Sequence, residues 1–268
     1  AMSYAAKGVG VHIGGATLLD GVSIEIDPGE VVAVAGPNGA GKSTLLASLA
    51  GDRTPDEGEV SLDDRPLGEW AKGELARHRA VMSIDRAVAF AFTAREVAMM
   101  GRMPLHGGDP DAADEAIIDR LFEAVDCATL GDRVYATLST GERQRVSLAR
   151  AVAQVTDAPD ASEGADRFLL LDEPTSSLDP AHQHTAMRLI RQTADDGRGV
   201  LAIVHDLNLA AAYADRVVLM HEARVVRTGT PAQVLQADIL ESVFDIPMLV
   251  IPHPQLSHPL VIAEPHED

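Results

Sequence analysis

The feature that most constrains this chain is a glycine-rich loop between an apolar strand and a helix. Residues 30–35 are a β-branched apolar run typical of a buried strand, and residues 45–51 follow a helical pattern that ends at a glycine. The loop between them matches the phosphate-binding P-loop pattern and consists of Gly36, Pro37, Asn38, Gly39, Ala40, Gly41, Lys42, Ser43 and Thr44. A strand, loop and helix in this order predict an α/β fold.

Each residue type in this loop suits a phosphate group. Glycines allow the backbone to wrap around an anion with successive N–H groups pointing inward, and the start of a helix adds partial positive charge. Lys42 supplies a full charge for the β- and γ-phosphates, and the Ser43 hydroxyl can ligate Mg²⁺. The sequence therefore predicts a phosphate-binding site, although a P-loop alone does not separate kinases, GTPases and transport ATPases.

Further chemistry-bearing residues follow two apolar runs. Asp172 and Glu173 come directly after the run 168–171, and His205 comes directly after the run 200–204. At the end of a buried strand Asp172 can hold Mg²⁺ through water, and Glu173 can orient and deprotonate an attacking water. A histidine at such a strand end could reach the γ-phosphate. The alternatives are an ordinary charged strand end and a structural histidine.

A second helix start offers another anion site. The residues Ser139, Thr140, Gly141 and Glu142 follow Leu138 and lead into a helix predicted over 146–155. Ser139 and the backbone around Gly141 can bind an anion at that helix start. The alternative is a simple N-cap, in which Ser139 and Glu142 form a capping box.

The rest of the chain divides into regions of different character. Residues 8–13 and 22–26 read as antiparallel strands, and residues 59–62 and 80–84 as two further short strands. Strands and helices alternate from residue 168 to residue 220, which predicts a parallel sheet covered by helices. We therefore predict a P-loop nucleotide-binding α/β domain over residues 3–245. It has an antiparallel β subdomain, an α-helical subdomain inserted at about 90–150, and a loosely structured Pro- and His-rich tail over 246–268.

Composition excludes several other classes of protein. The chain has 268 residues, of which 41 are Asp or Glu and 22 are Lys or Arg, so its formal net charge is −19. Such an acidic balance repels a phosphate backbone, and we expect no nucleic-acid partner. No apolar run approaches the roughly 18 residues that span a bilayer, and the single cysteine cannot form an internal disulfide.

Taken together, these motifs resemble the ATP-binding cassette (ABC) family over roughly residues 8–245. The resemblance rests on the P-loop, the signature-like Leu138–Glu142, the Asp172–Glu173 pair, Ser177-Leu178-Asp179 as a D-loop, and His205 as a switch histidine. It implies a head-to-tail homodimer that sandwiches two ATP molecules with Mg²⁺. Each nucleotide then lies between one P-loop and the partner's signature segment. By the same resemblance Glu173 is the catalytic base, His205 senses the γ-phosphate and Asp179 couples the two sites.

Three positions depart from the family pattern. Family members usually carry a glutamine after the strand predicted at 80–84, and here Asp85 is the candidate substitute as an Mg²⁺ ligand. Thr140 stands where glycine is usual, which leaves less room for a phosphate. The first strand lacks the aromatic residue that normally stacks on adenine, and His12 is the candidate replacement. These departures concern affinity and rate rather than the fold.

Within the family, the chain most resembles the ATPase subunits of bacterial importers for iron-siderophores, cobalamin and haem, and among them the haem importers. The segments that carry this resemblance are residues 92–104, 205–218 and 229–235, and, for haem, 79–81, 89–92 and the polar loop 154–167. Ferric siderophore and cobalamin remain alternative cargoes. A non-transport ABC ATPase and a catalytically inactive ABC binding module remain alternative classes.

The importer resemblance also implies partners and a location. A separate membrane permease docks on residues 84–106, with Met99, Met100, Met103 and Leu105 as exposed contacts, unless these side chains fill the core of the helical subdomain. A periplasmic or lipoprotein-type binding protein acts only indirectly. The chain is then a peripheral protein on the cytoplasmic face of the cell membrane.

Overall fold

A six-stranded sheet organises the computed structural model, which describes residues 2–83, 91–105, 111–157 and 166–264. The elements in chain order are β1 (Tyr4–Ile13), β2 (Ala16–Ile26), β3 (Val31–Ala35), α1 (Lys42–Leu49), β4 (Glu57–Leu62), β5 (Arg65–Pro66), α2 (Lys72–His78), β6 (Arg79–Met82), α3 (Ala94–Met99), α4 (Ala112–Ala124), α5 (Thr140–Val155), β7 (Phe168–Leu171), α6 (Pro180–Asp195), β8 (Gly199–Ile203), α7 (Leu207–Tyr213), β9 (Arg216–His221), β10 (Arg224–Gly229), α8 (Pro231–Val234), α9 (Ala237–Phe244), β11 (Met248–Pro252) and β12 (Pro259–Ala263).

The strand order of this sheet is β10-β9-β3-β8-β7-β6, and all neighbours are parallel except β10 against β9. Alternate residues of the central strand β3 enter two different cores, with Val31 and Ala33 on one face and Val32 and Val34 on the other. Because both faces are covered, β3 needs an unbroken apolar sequence. The parallel arrangement brings the carboxyl ends of β3, β7 and β8 to one edge, where the predicted site residues follow.

The N-terminal strands form a separate antiparallel sheet of order β2-β1-β4-β5, as the alternating sequence predicts. It packs with α1 on one face of the central sheet. Tyr4 is fully buried there and its hydroxyl donates to the carbonyl of Leu49 at the end of α1. Burial raises the pKa of Tyr4 to about 12, so this hydroxyl keeps its proton and its hydrogen bond at neutral pH.

The other face of the central sheet is covered by helices, including the predicted helical region. There α3 and α4 pack on α5, and the fully buried Arg102 joins them: its Nε donates to Asp114 Oδ1 at 2.7 Å, and its guanidinium also bonds the carbonyls of Ala153 and Thr156. A buried guanidinium needs such partners because desolvating an unpaired charge costs several kcal/mol. No helix of the described residues is long and apolar enough to cross a membrane.

The C-terminal tail is better ordered than predicted. Strands β11 and β12 form an antiparallel hairpin, and Met248 and Val261 are buried in the main core. The prediction of a loosely structured tail is therefore wrong for the strands at 248–252 and 259–263. The prediction gave weight to the prolines of this segment. Pro252 and Pro259 pair with each other at one end of the hairpin, so the branched aliphatic residues in the rest of both strands can still form a ladder.

Candidate ATP-binding and hydrolytic site

The P-loop follows β3 closely and leaves no room for side chains at two glycines. Gly36 has a φ of 146°, and a Cβ there would lie 2.1 Å from the carbonyl oxygen of Met220 in β9. Gly41 has a φ of 99°, and its Cβ would lie 2.5 Å from the carbonyl oxygen of Leu18 in β2. Only glycine fits both the backbone conformation and the space. The turn that opens α1 is therefore set by contacts with two neighbouring strands.

Lys42 lies at the first position of α1 and curls back over the loop. Its Nζ donates to the carbonyl oxygens of Gly36 at 2.7 Å and Pro37 at 2.8 Å, and the residue is only 6% exposed. Burial lowers the pKa of Lys42, and the nearby carboxylates of Glu173 and Asp172 partly oppose that shift. A half-desolvated ammonium at the opening of a helix is a favourable environment for an anionic group.

Asp172 follows β7 and faces the same helix start. Its side chain lies near Ser43 and Lys42, which both act to lower its pKa, and its Oδ1 is buried without a hydrogen-bond partner among the described residues. Burial raises the pKa of Asp172, and the adjacent Glu173 raises it further. A buried carboxylate oxygen beside a hydroxyl is a donor pair that fits a hard divalent cation such as Mg²⁺. Among the described residues no cluster of three His, Cys, Asp or Glu side chains could hold a metal by itself. The third predicted ligand, Asp85, lies outside the described residues.

Glu173 and His205 were predicted independently, and the structure brings them together. Glu173 Oε1 lies 2.6 Å from His205 Nε2, because β7 and β8 are adjacent parallel strands and both residues follow their carboxyl ends. Glu173 has a left-handed φ of 48°, an uncommon conformation for a side chain of this size and one that is enriched at functional sites. Both side chains remain partly exposed, so the pair is open to a reactant.

The predicted signature segment forms the N-terminus of α5, which begins at Thr140 rather than at Val146. The capping box proposed as an alternative is present: Ser139 Oγ accepts from the Glu142 N–H at 3.2 Å, and Glu142 Oε2 accepts from the Ser139 N–H at 2.7 Å. The backbone N–H and the side chain of Ser139, with the nearby Arg133, lower the pKa of Glu142. Ser139 and Thr140 are exposed beside the cap, so the helix start remains accessible.

A residue that the sequence analysis did not single out connects this helix to the loop that carries Glu173. Gln144 Nε2 donates to the backbone carbonyl of Glu173 at 2.6 Å, and Gln144 Oε1 accepts from the Ser177 N–H at 3.1 Å. A Cβ at Gly141 would lie 3.0 Å from the carbonyl of Ser177, so α5 also approaches this loop closely. The sequence offers no local signal for these contacts, because the partners of Gln144 lie 29 and 33 residues away.

Asp179 caps α6, the helix that follows the same loop. Its carboxylate accepts from the His182 N–H at 2.9 Å and lies 2.8 Å from His182 Nδ1. These contacts lower the pKa of Asp179, which stays exposed. His184 contacts the Tyr213 hydroxyl instead, at 2.9 Å, so the two histidines have separate partners.

The four predicted docking side chains divide between core and surface. Met99 is 8% exposed and belongs to the main core, so its prediction as an exposed contact is wrong. Met103 is 65% exposed, and Met100 and Leu105 are half-buried. The split follows the helix, since α3 turns Met99 toward α5, while Met103 lies beyond the end of α3. His12, the candidate for base stacking, is exposed in β1, and its Nδ1 lies 3.3 Å from Thr17 Oγ1.

Comparison with known proteins agrees with this arrangement. The family described as ABC transporter matches residues 19–176. The hemin import ATP-binding protein HmuV of Gloeobacter violaceus is 46% identical over 257 residues, which cover 96% of this chain and 92% of that protein. HmuV of Rhodococcus jostii is 46% identical over 263 residues, which cover 98% and 86% of the two chains.

A solved ATP-binding subunit of an ABC transporter has the same fold. It superposes with a TM-score of 0.75 and 25% identity, covering 90% of this chain and 96% of its own. The matching family region contains the P-loop, the signature-like helix start and the Asp172–Glu173 pair. Of these, the P-loop and the Asp172–Glu173 pair follow β3 and β7 at one edge of the central sheet. From its sequence, its fold and the layout of this edge, the chain belongs to the ABC transporter family.

Proposed function

We propose that this chain is the ATP-binding and ATP-hydrolysing subunit of a bacterial importer that takes up haem through a separate membrane permease. The observation that supports the cargo is the 45–46% identity, over nearly the whole chain, to proteins named for hemin import in several bacteria. The likeness extends well beyond the shared nucleotide motifs at 19–176 to the C-terminal third.

In this proposal, different residues of the site bind the phosphates and the Mg²⁺ ion. The backbone of residues 36–44 and the Lys42 ammonium bind the β- and γ-phosphates of ATP, since Lys42 already lies at the loop with its charge partly desolvated. Ser43 and Asp172 would hold Mg²⁺, which supplies positive charge to the phosphate oxygens. The unpartnered Oδ1 of Asp172 is the observation that supports this donor pair.

Hydrolysis then depends on Glu173 and His205. The Glu173 carboxylate takes a proton from the attacking water, so that the water oxygen forms the new bond to the γ-phosphorus as the bond to the leaving β–γ bridging oxygen breaks. His205 Nε2, 2.6 Å from Glu173 Oε1, orients the carboxylate. Gln144 holds the backbone of Glu173 from the other side.

ABC importer ATPases dimerise and work with membrane permeases, and we assign the surfaces for this chain as follows. The accessible helix start at Ser139, Thr140 and Gly141 binds the γ-phosphate of ATP held by a second copy, and exposed Asp179 faces that copy. The permease docks near the exposed Met103 on the helical subdomain. A periplasmic or lipoprotein-type binding protein delivers haem on the far side, which places this chain at the cytoplasmic face.

The experiment that tests this function is cargo-dependent transport in liposomes. The chain is assembled with its permease and binding protein, and haem, a ferric siderophore and cobalamin are compared, each preloaded on the binding protein. We expect ATP-dependent uptake of haem and faster ATP hydrolysis in the presence of the haem-loaded binding protein. The matched control is the same complex with Glu173→Gln, which should bind ATP and transport nothing.

Two results would overturn parts of the proposal separately. Uptake of cobalamin or ferric siderophore but not haem contradicts the cargo and leaves the ATPase mechanism intact. A complex that hydrolyses ATP no faster than the chain alone, with every cargo, contradicts the role in transport.

A further inference from the structure

The C-terminal hairpin β11–β12 packs on α7, the helix that begins two residues after His205. Val261 in β12 is 8% exposed and lies in the same core cluster as Leu209 and Ala210 of α7. At the other end of the hairpin, the Met248 N–H donates to Glu241 Oε1 of α9 at 3.0 Å, and the Glu264 N–H donates to the carbonyl of Pro247 at 2.9 Å. The hairpin is thus anchored at its base and placed against the helix that follows the histidine.

One side chain forms the polar part of this contact. Asn208 Nδ2 donates to the Val261 carbonyl at 3.0 Å, and Asn208 Oδ1 accepts from the Val261 N–H at 2.8 Å. The carboxamide therefore pairs with both backbone groups of Val261, as a neighbouring strand would. Both bonds are partly buried, so breaking them leaves backbone groups with reduced access to water.

Asn208 is rigidly connected to His205 through the cap of α7. Asp206 caps that helix, and its Oδ1 accepts from the Asn208 N–H at 2.8 Å and from the Leu209 N–H at 3.2 Å. Just before the histidine, the Val204 N–H donates to the Val34 carbonyl at 3.1 Å. His205 therefore lies between a strand end that is fixed to the sheet and the capped start of α7. Because the sheet holds only the backbone before His205, we expect a displacement of Asn208 to move the backbone that follows it.

We propose that the C-terminal hairpin, acting through Asn208, sets the position of His205 against Glu173. Asn208 is a positioning residue in this proposal, because it contacts the hairpin and not the reactants. The inference rests on the proposed ATPase function for its kinetic consequence. The structural link between the hairpin and His205 can be measured without ATP.

The test uses the full-length chain with Asn208→Ala, which removes both hydrogen bonds to Val261. The matched control is Gln192→Ala, which removes an exposed carboxamide from α6. We expect Asn208→Ala to lower kcat on the order of tenfold, the effect of losing two partly buried hydrogen bonds, with KM for ATP within about twofold. Gln192→Ala should leave both constants unchanged.

Two further readouts need no nucleotide. Asn208→Ala should move the NMR chemical shift of the His205 imidazole, identified by its absence from His205→Ala, and should speed exchange of the Val261 amide hydrogen. Val261→Pro removes the same N–H, so the double variant with Asn208→Ala should lower kcat no further than Asn208→Ala alone. That equality separates a shared link from two independent structural defects.

The proposal is overturned if Asn208→Ala melts at a lower temperature but keeps the kcat and the His205 chemical shift of the Gln192→Ala control. Asn208 would then only fasten the hairpin. If the wild-type chain hydrolyses no ATP, the proposed function fails, while the His205 shift and the Val261 exchange rate still decide whether the hairpin positions the histidine.

Discussion

The P-loop and the Glu173–His205 pair lie at the same sheet edge, but they are held in different ways. The two hydrogen bonds of the Lys42 ammonium reach carbonyls five and six residues away, whereas Glu173 meets His205 over 32 residues and Gln144 over 29. The Lys42 ammonium is held within its own short segment, although the glycines of the loop also fit against β2 and β9. The hydrolytic pair depends on β7, β8 and α5 being packed correctly, so hydrolysis should be easier to lose than nucleotide binding.

The largest effect on this comparison should come from Glu173→Gln. The amide keeps an oxygen that can accept a hydrogen bond from His205 but cannot take a proton from water, so we expect kcat to fall about 10²–10⁴-fold. Affinity for ATP should stay the same, because the P-loop contacts are untouched. Single-turnover hydrolysis and ATP binding by calorimetry measure the two quantities. Glu115→Gln, at an exposed carboxylate of the helical region, is the matched control. Equal turnover by both variants would remove Glu173 from its role.

The second effect tests the P-loop half of the comparison. Gly36→Ala places a methyl group 2.1 Å from the Met220 carbonyl, whereas the same methyl at Gly39 meets no atom within 4 Å, although both glycines have positive φ. The backbone strain alone costs about 1–3 kcal/mol, and only Gly36→Ala adds a clash. We expect Gly36→Ala to weaken ATP binding by more than tenfold relative to Gly39→Ala. Calorimetric titration of both variants checks this, and equal affinities would contradict the steric argument.

The same distinction explains which features could be predicted from the sequence. The P-loop, the Asp172–Glu173 pair and the strand 168–171 are local patterns, and their positions follow from the order of strands and helices. The capping box at Ser139 is also local, so it could be proposed as an alternative on spacing alone. The family resemblance gave Glu173 and His205 separate roles, but their contact was not predicted, because neither segment encodes which strands are adjacent.

The residues that escaped prediction depend on contacts between remote segments. Gln144 has its partners at Glu173 and Ser177, which no local pattern connects to α5. The hairpin at 248–263 was not predicted because its segment contains several prolines. Asn208 was not predicted because its partner Val261 is 53 residues away in the sequence. Met99 and Met103 are the same residue type in one short segment, but Met99 is buried and Met103 is exposed, because their burial depends on how α3 packs.

A smaller effect should come from Gln144→Ala, which tests how the Glu173–His205 pair is held by a residue that does not contact the reactants. Loss of two hydrogen bonds to the Glu173 loop should lower kcat about tenfold, with little change in KM. Gln154→Ala is a matched control on the same helix, since Gln154 Nε2 donates to the carbonyls of Ala76 at 2.7 Å and Arg79 at 3.0 Å. It should lower the melting temperature and keep kcat. If Gln144→Ala behaves in the same way, Gln144 has a structural role only.

The smallest effect should be a gain in stability from Asp172→Asn. Burial and the neighbouring Glu173 raise the pKa of Asp172, so the folded state disfavours its charged form. A group whose pKa is higher in the folded than in the unfolded state destabilises the protein above the folded pKa, and this penalty disappears as the pH falls below the unfolded pKa. At neutral pH Asp172→Asn should therefore raise the melting temperature slightly in the absence of nucleotide. The difference between variant and wild type should narrow as the pH is lowered through the acidic range.

The same variant should lose Mg²⁺-dependent hydrolysis, because Asp172 is a proposed ligand. Thermal unfolding of both chains across pH measures the first effect, and a lower melting temperature at neutral pH would show that the interactions of the Asp172 carboxylate with His205, Lys42 and Ser43 stabilise the fold by more than its burial costs.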